Sequence, residues 1–146
     1  MFRYIDIPPV WALLIFAIAW LLAQLLPIYS LDLSLWWAGI LVMIGFVLIL
    51  WAFLYFMREH TPIEPRRKPT NLISKGPYRI NRNPIYTGLT IILLGGAVWI
   101  GDIVAFLPVI IYPAVLTRRF IRDEEKTLRD TFGDQAKEYL RNTRRW

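Results

Sequence analysis

The chain has 146 residues, of which 56% are hydrophobic and 15% aromatic, and its formal net charge is +6 at pH 7. A soluble domain of this length cannot bury so much apolar surface in one core, so the composition excludes an ordinary soluble enzyme and predicts contact with lipid. The basic residues flank apolar segments instead of forming one soluble face, which argues against nucleic-acid binding.

Reactive side chains are scarce. The chain contains no Cys and a single His, His60. Disulfides, thiolate metal sites and a cysteine nucleophile are therefore excluded, and a lone His supports neither a metal cluster nor a Ser-His-Asp relay. We predict no metal site.

Two long apolar runs occupy the first part of the chain. Residues 7–31 and 33–57 each contain 25 residues without a charge, and about 20 helical residues cross the hydrocarbon layer of a bilayer. The first run is too long for the apolar region of a signal peptide, so we expect it to be retained as a helix. Small residues such as Gly39 and Gly45 permit close packing of helices.

Two shorter apolar runs follow. Residues 84–101 are free of charge for 18 positions and residues 103–117 for 15. We predict that both span the membrane, because Phe120 and Ile121 extend the apolar character of the second one. Gly95 is another small residue suited to helix packing.

Basic residues predict the orientation in the membrane. Of the 17 Lys and Arg residues, seven lie between the second and third runs and nine follow Thr117, whereas the connections at Asp32 and Asp102 contain none. The positive-inside rule therefore places both termini and the central loop in the cytoplasm, and we expect a prokaryotic cytoplasmic membrane. The basic residue at position 3 precedes the first run.

The predicted fold is an all-α integral membrane protein with about four transmembrane helices. It forms one domain with four parts, namely an N-terminal helical hairpin (1–57), a cytoplasmic loop (58–83), a second helical hairpin (84–122) and cytoplasmic C-terminal helices (123–146).

The central loop is longer than a simple connection requires. Prolines at positions 62, 65, 69 and 77 favour turns and extended backbone, so we interpret it as a shaped surface. Pro84 suits the first position of a helix with Asn83 as its N-cap, and a helix start can bind an anion. The alternative is a basic loop that contacts anionic lipid headgroups.

The last predicted span continues beyond the membrane. Its apolar positions predict a helix that ends near Gly133, followed by a second short helix. Glu124 and Glu125 lie roughly two turns beyond the membrane edge, where one can face the central loop and the other water. A solvated helix face, with the two carboxylates offset by nearby Arg and Lys, is the structural alternative.

The second half of the chain contains two pairs of short motifs. The sequence contains G-P-Y-R and R-N-P-x-Y-x-G at residues 76–88, then E-E-x-x-L and F-G at residues 124–133, with a Tyr downstream. This arrangement, over roughly residues 60–146, resembles the isoprenylcysteine carboxyl methyltransferase family and its short prokaryotic relatives.

The resemblance implies an integral membrane methyltransferase that uses S-adenosylmethionine, bound in a pocket formed by the central loop and the C-terminal extension. Carried onto this chain, the cofactor contacts would be Asn71, Leu72, Ile73, Tyr78, Arg82, Asn83, Pro84, Ile85, Tyr86, Glu124 and Glu125. Asn71 to Ile73 match by spacing alone. The implied role of Glu124 is to bind the ribose hydroxyls or the amino group.

The implied acceptor is a carboxylate on a lipophilic or prenylated molecule, which is already a nucleophile and needs no general base. The family places an Arg just before the acidic pair, whereas this chain has Phe120 there. We expect one of Arg118, Arg119 and Arg122 to bind the acceptor carboxylate instead.

Two alternatives remain. An amine or phospholipid N-methyltransferase would need a proton acceptor, for which Glu125 and Tyr86 are the candidates. A small transporter or membrane scaffold is the non-enzymatic alternative, but Gln24 is the only conspicuously polar side chain deep in a run, which argues against transport. The bilayer is the predicted partner in each case, and the oligomeric state is open.

Overall fold

The computed structural model describes residues 6–33, 35–60 and 69–146. Within these ranges the chain forms six α-helices, and its only strand-like pairs are two isolated bridges. The helices are α1 (Pro8–Leu25), α2 (Leu35–Arg58), α3 (Pro77–Ile80), α4 (Pro84–Ile100), α5 (Phe106–Leu116) and α6 (Arg122–Asn142). The predicted all-α fold is confirmed. Arg3 and the loop prolines Pro62 and Pro65 lie outside the described residues.

Each predicted apolar run contains one helix. Within the described ranges, α1, α2 and the helical stretch Ile103–Asn142 are long and apolar enough to cross a membrane, while α4 is apolar but has 17 residues. The chain is therefore a multi-pass membrane protein with three to four spanning helices.

Most of α2 faces outward. Its buried positions are the small residues Ala38, Gly45 and Ala52, whereas bulky apolar side chains such as Trp36 are exposed. Such a surface would be unstable in water but suits lipid, where helix association depends on close packing of small residues.

The packing of α2 on α4 shows this directly. A Cβ atom added at Gly45 would lie 2.5 Å from the carbonyl oxygen of Gly88, and one added at Gly95 would lie 2.9 Å from the carbonyl oxygen of Ala38. The predicted role of Gly45 and Gly95 in helix packing is confirmed. Gly39 faces open space, so the same prediction for Gly39 was wrong.

The interior of the bundle lies between α1, α4 and α5. Its fully buried side chains include Tyr112, Leu116, Phe120 and Ile121. The hydroxyl of Tyr112 donates a 2.8 Å hydrogen bond to the carbonyl oxygen of Pro8, which ties α5 to the beginning of α1. This packing fixes the position from which α5 continues towards α6.

A π-helical turn, Thr117–Ile121, joins α5 to α6 without interrupting the helix. Gly133 then breaks the regular geometry of α6, with φ 55° and ψ −124°. The prediction that the last span continues to about Gly133 and is followed by another helix is confirmed. The π turn was not predicted, although such turns are frequent at functional sites.

Candidate functional site

Asn81 holds the beginning of α4. Its Oδ1 accepts a 2.6 Å hydrogen bond from the backbone N–H of Asn83, and its Nδ2 donates to Oγ1 of Thr87 at 2.6 Å. Asn83 occupies the N-cap position with Pro84 in the first turn, as predicted, but the Asn83 side chain makes no capping bond. The first amides of a helix have no acceptor within it, so this helix start suits a negatively charged group.

Tyr86 on α4 faces Glu124 on α6. The Tyr86 hydroxyl donates a hydrogen bond to Oε1 of Glu124. Phe120 packs beside the pair, with its ring centroid 6.5 Å from that of Tyr86, and is 1% exposed. The contact therefore combines a phenol, a carboxylate and an apolar wall at the junction of α4 and α6.

Glu125 is buried in a different environment, which we call the arginine cluster. Its Oε1 accepts hydrogen bonds from Nη1 of Arg82 at 3.0 Å and Nε of Arg145 at 2.9 Å, while its Oε2 accepts from Arg145 and Arg129. A buried carboxylate is costly unless it is paired, and three guanidinium groups provide that pairing. Both oxygens of Glu125 are therefore held by protein groups.

Residues 143–146, which we call the strap, lie against the beginning of α4. The backbone N–H of Arg82 donates to the carbonyl oxygen of Arg144 at 2.8 Å. The Nδ2 of Asn83 donates to the carbonyl oxygen of Arg145 at 3.4 Å. The hydrogen bond with Glu125 raises the pKa of Arg145, so this guanidinium stays charged.

Arg82 leaves one donor unused. Its Nη1 binds Glu125, but its Nε is buried and has no hydrogen-bond partner within the described part of the chain. A buried donor without a partner costs about 1–3 kcal/mol, so an acceptor supplied by a ligand would be stabilising here. A carboxylate is a suitable acceptor for this position.

Tyr78 joins the loop to this site. Its ring packs edge-on against Phe56 at a centroid distance of 5.6 Å, and its carbonyl oxygen accepts a 2.8 Å hydrogen bond from the hydroxyl of Tyr139. Burial, followed by the charges of Tyr139 and Glu124, raises the pKa of the Tyr78 hydroxyl. Tyr78 is therefore a neutral phenol within electrostatic range of Glu124.

The other predicted loop residues lie beside Tyr78. Ile73 is buried with Tyr78 and Ala52, and Ile85 packs against both this cluster and the interior of the bundle. Asn71 is exposed and donates from Nδ2 to the carbonyl oxygen of Glu59 at 2.7 Å, at the end of α2. Leu72 is half-buried between them.

The three candidate acceptor arginines point to different surroundings. Arg118 and Arg122 are exposed. Arg119 donates from Nε to Oδ1 of Asp6 at 2.8 Å and lies 4.7 Å from the ring centroid of Trp11. Arg119 is thus bound to the beginning of α1, beside an open cavity of about 530 Å³ that Arg118 also lines.

The structure therefore brings several predicted residues together from distant parts of the sequence. The site that we call the donor site is formed by Tyr78, Arg82, Asn83, Tyr86 and Glu124. The sequence analysis missed Arg145 and Arg129, because a basic run near a membrane segment gives no signal for a specific partner. No group of three or more His, Asp or Glu side chains in the described ranges could hold a metal ion.

The model of the phospholipid methyltransferase family matches residues 33–135, which include α2, α4, α5 and the acidic pair. The chain belongs to the phospholipid methyltransferase family. This confirms the resemblance to membrane methyltransferases, since the isoprenylcysteine carboxyl methyltransferases are members of the same superfamily. As a phospholipid methyltransferase family member, the protein is a membrane methyltransferase, and the family implies S-adenosylmethionine as the methyl donor.

A protein of Haemophilus influenzae, described as uncharacterized, is 39% identical to the chain over 62 residues. These residues are 42% of this phospholipid methyltransferase family member and 98% of the Haemophilus protein. No solved structure matches.

Proposed function

We propose that the protein binds S-adenosylmethionine at the donor site and transfers its methyl group to the polar head of a membrane-embedded acceptor. The observation that carries this proposal is the contact of Tyr86 with Glu124, together with the buried Nε of Arg82, which has no hydrogen-bond partner within the described residues. These residues would offer the methyl donor a carboxylate, a phenol and a cationic hydrogen-bond donor.

Each part of the methyl donor has a matching group in the donor site. Its carboxylate suits Nε of Arg82 and the first amides of α4, and its ribose hydroxyls or amino group suit Glu124. The rings of Tyr78 and Tyr86 would stabilise the sulfonium, from which the donor supplies the methyl group. The predicted contacts Asn71, Leu72, Ile73, Asn83, Pro84 and Ile85 would then line the site, and Glu125 would act through Arg82 and Arg145.

The donor site would face the cytoplasm in this proposal. Seven basic residues lie between the second apolar run and α4, and nine follow Thr117, so the beginning of α4 and all of α6 lie on the basic side of the chain. The positive-inside rule assigns that side to the cytoplasm, where S-adenosylmethionine is made.

The acceptor group is the open part of the proposal, and the structure offers two chemistries. A carboxylate acceptor would attack the methyl carbon directly, forming an ester while the carbon–sulfur bond breaks, and no proton would be transferred. It would need a cation, which Arg118, Arg119 or Arg122 would provide. Arg119 is paired with Asp6, however, and the other two are exposed.

We favour an amine acceptor, such as the headgroup amine of a phospholipid. The position beside Tyr86 is occupied by the apolar ring of Phe120, and the Tyr86 hydroxyl is bound to the carboxylate of Glu124. An ammonium group would be attracted to Glu124 and would have to lose a proton before attacking the methyl carbon. Glu124, with Tyr86 bound to it, is better placed to accept that proton than Glu125, which is held by three arginines.

Two measurements test the proposal. Calorimetric titration of the detergent-purified protein with S-adenosylhomocysteine should give one binding site per chain, and an absence of binding would contradict the methyltransferase mechanism. Transfer of a labelled methyl group should then be measured in nanodiscs that contain phosphatidylethanolamine, with prenylcysteine and fatty acid as alternative acceptors. Label in the phosphatidylethanolamine supports the amine, whereas a base-labile methyl ester on the other acceptors supports the carboxylate.

A further inference from the structure

The strap lies outside residues 33–135, the part of the chain that matches the family. It nevertheless contacts the beginning of α4 at two backbone positions. The carbonyl oxygens of Arg144 and Arg145 accept hydrogen bonds from the Arg82 backbone and the Asn83 side chain, respectively. A segment that the family match does not include therefore forms part of the wall of the donor site.

The strap is anchored by one buried ion pair. Arg145 donates from Nε to Oε1 of Glu125 at 2.9 Å and from Nη2 to Oε2 at 2.8 Å, so the guanidinium engages both carboxylate oxygens. Glu125 is 6% exposed. Paired hydrogen bonds of this kind fix orientation as well as distance, which a single Lys–carboxylate contact cannot do.

The same carboxylate also holds a residue of the donor site. Arg82 is bound to Glu125 through Nη1 and to the strap through its backbone N–H. The positions of its side chain and of its backbone therefore both depend on the ion pair between Arg145 and Glu125. Its Nε is the donor left for a ligand. Glu124, the neighbour of Glu125, carries the contact to Tyr86.

We propose that Arg145 is a positioning residue for the methyl donor. Its ion pair with Glu125 holds the strap against Asn83 and Arg82 and thereby sets the geometry in which Arg82 and Glu124 bind the donor. This inference rests on the proposed function, because it requires that the donor site bind S-adenosylmethionine.

Arg129 provides a matched control within the same cluster. It donates from Nη2 to Oε2 of Glu125 at 3.3 Å, but it lies four residues further along the same helix and is half exposed. Removing Arg129 therefore removes a guanidinium from the same carboxylate without releasing another segment of the chain.

The test is a calorimetric titration of the full-length protein in detergent with S-adenosylhomocysteine. It compares the wild type with the variants Arg145→Ala, Arg145→Lys and Arg129→Ala, and each unfolding midpoint is measured without ligand. We expect Arg145→Ala to raise Kd about ten- to a hundredfold with unchanged stoichiometry, which is the size of effect found when residues that orient metal ligands are removed. Arg145→Lys should be intermediate, and Arg129→Ala should stay within about twofold.

The stoichiometry separates positioning from simple destabilisation. If Arg145 had a structural role alone, Arg145→Ala would lower the fraction of binding-competent protein and leave Kd unchanged. With a wild type that binds, this result would overturn the inference about Arg145 and leave the proposed function intact. If Arg145→Ala does not fold, Arg145→Lys decides the question, because it retains the charge and loses the paired geometry. A wild type that does not bind S-adenosylhomocysteine overturns both proposals.

Discussion

The hydroxyl of Tyr86 donates a hydrogen bond to Oε1 of Glu124, a residue 38 positions further along the chain. The contact joins the first turn of α4 to the first turn of α6. It therefore places a residue at the start of an apolar helix against the acidic motif that follows the last predicted span.

We expect Tyr86→Phe and Glu124→Gln to weaken both the binding of S-adenosylhomocysteine and methyl transfer. A hydrogen bond to a charged group contributes about 1.5–3 kcal/mol, which corresponds to an increase in Kd of roughly tenfold or more. The matched control is Tyr112→Phe, which removes a buried hydroxyl that binds the carbonyl oxygen of Pro8. The control should lower the unfolding midpoint and leave Kd unchanged. Equal Kd values in all three variants would contradict the assigned role of Tyr86 and Glu124.

Arg82→Gln tests which part of the methyl donor binds the unpartnered Nε. We expect the variant to lose affinity for S-adenosylhomocysteine by about tenfold or more, and to lose much less for an analogue without the carboxylate, because only the former loses a charge-assisted hydrogen bond. The neighbouring Arg79 is exposed and serves as control through Arg79→Gln. If Arg82→Gln lowers the affinity for both ligands equally, then Arg82 does not bind the carboxylate.

Helix packing gives a third prediction. We expect Gly45→Ala to destabilise the protein by about 1–3 kcal/mol or more, because the added methyl group would meet the backbone of α4 at Gly88. Gly39→Ala is on the same helix, where the added atom meets open space, and it should leave stability unchanged or slightly higher. Thermal unfolding in one detergent compares the two. A similar loss for both would show that the contact with α4 does not determine the effect.

Alkaline pH should destabilise the protein through Tyr139. α6 is rich in charged residues and lies beyond the apolar span, and burial raises the pKa of the Tyr139 hydroxyl above its ordinary value of 10.0 even though Arg82 acts in the opposite direction. The unfolded chain then loses this proton at lower pH than the folded one, so the stabilisation is complete below pH 10 and is lost as the pH rises above it.

The measurement is the unfolding midpoint between pH 8 and about pH 11. The variant Tyr139→Phe cannot titrate at this position, so its midpoint should fall less steeply above about pH 10 than that of the wild type. It should also be less stable at pH 8, because it lacks the hydrogen bond to the carbonyl oxygen of Tyr78. Parallel pH profiles would show that Tyr139 does not contribute to the alkaline transition.

The helices were predictable because their signals are local. A run without charges and of spanning length shows where a helix crosses the membrane, and Asn83 followed by Pro84 marks the beginning of α4. The end of the regular helix near Gly133 was predicted in the same way, since a residue with positive φ favours glycine.

The contacts inside the site depend on packing that no local pattern contains. The pair formed by Glu125 and Arg145 requires the chain to turn back after Gly133, and Arg119 meets Asp6 from a position 113 residues away. The motifs predicted Glu124 and Glu125 as a pair, but they could not reveal that Glu124 contacts Tyr86 while Glu125 binds arginines. Charge and spacing predicted three candidate arginines without indicating that Arg119 binds α1.

The π turn limits how many residues can separate α5 from the acidic motif. The π turn is an expanded helical turn, and it lies between Tyr112, which is anchored to α1, and Glu124, which contacts α4. Because each residue of a helix advances the side chains by about 100°, inserting one more residue between these anchors would turn the whole of α6 and direct Glu124 away from Tyr86. Deleting one residue within Thr117–Ile121 would instead return this turn to α-helical geometry, so we expect the stretch to tolerate the loss of a residue better than the gain of one.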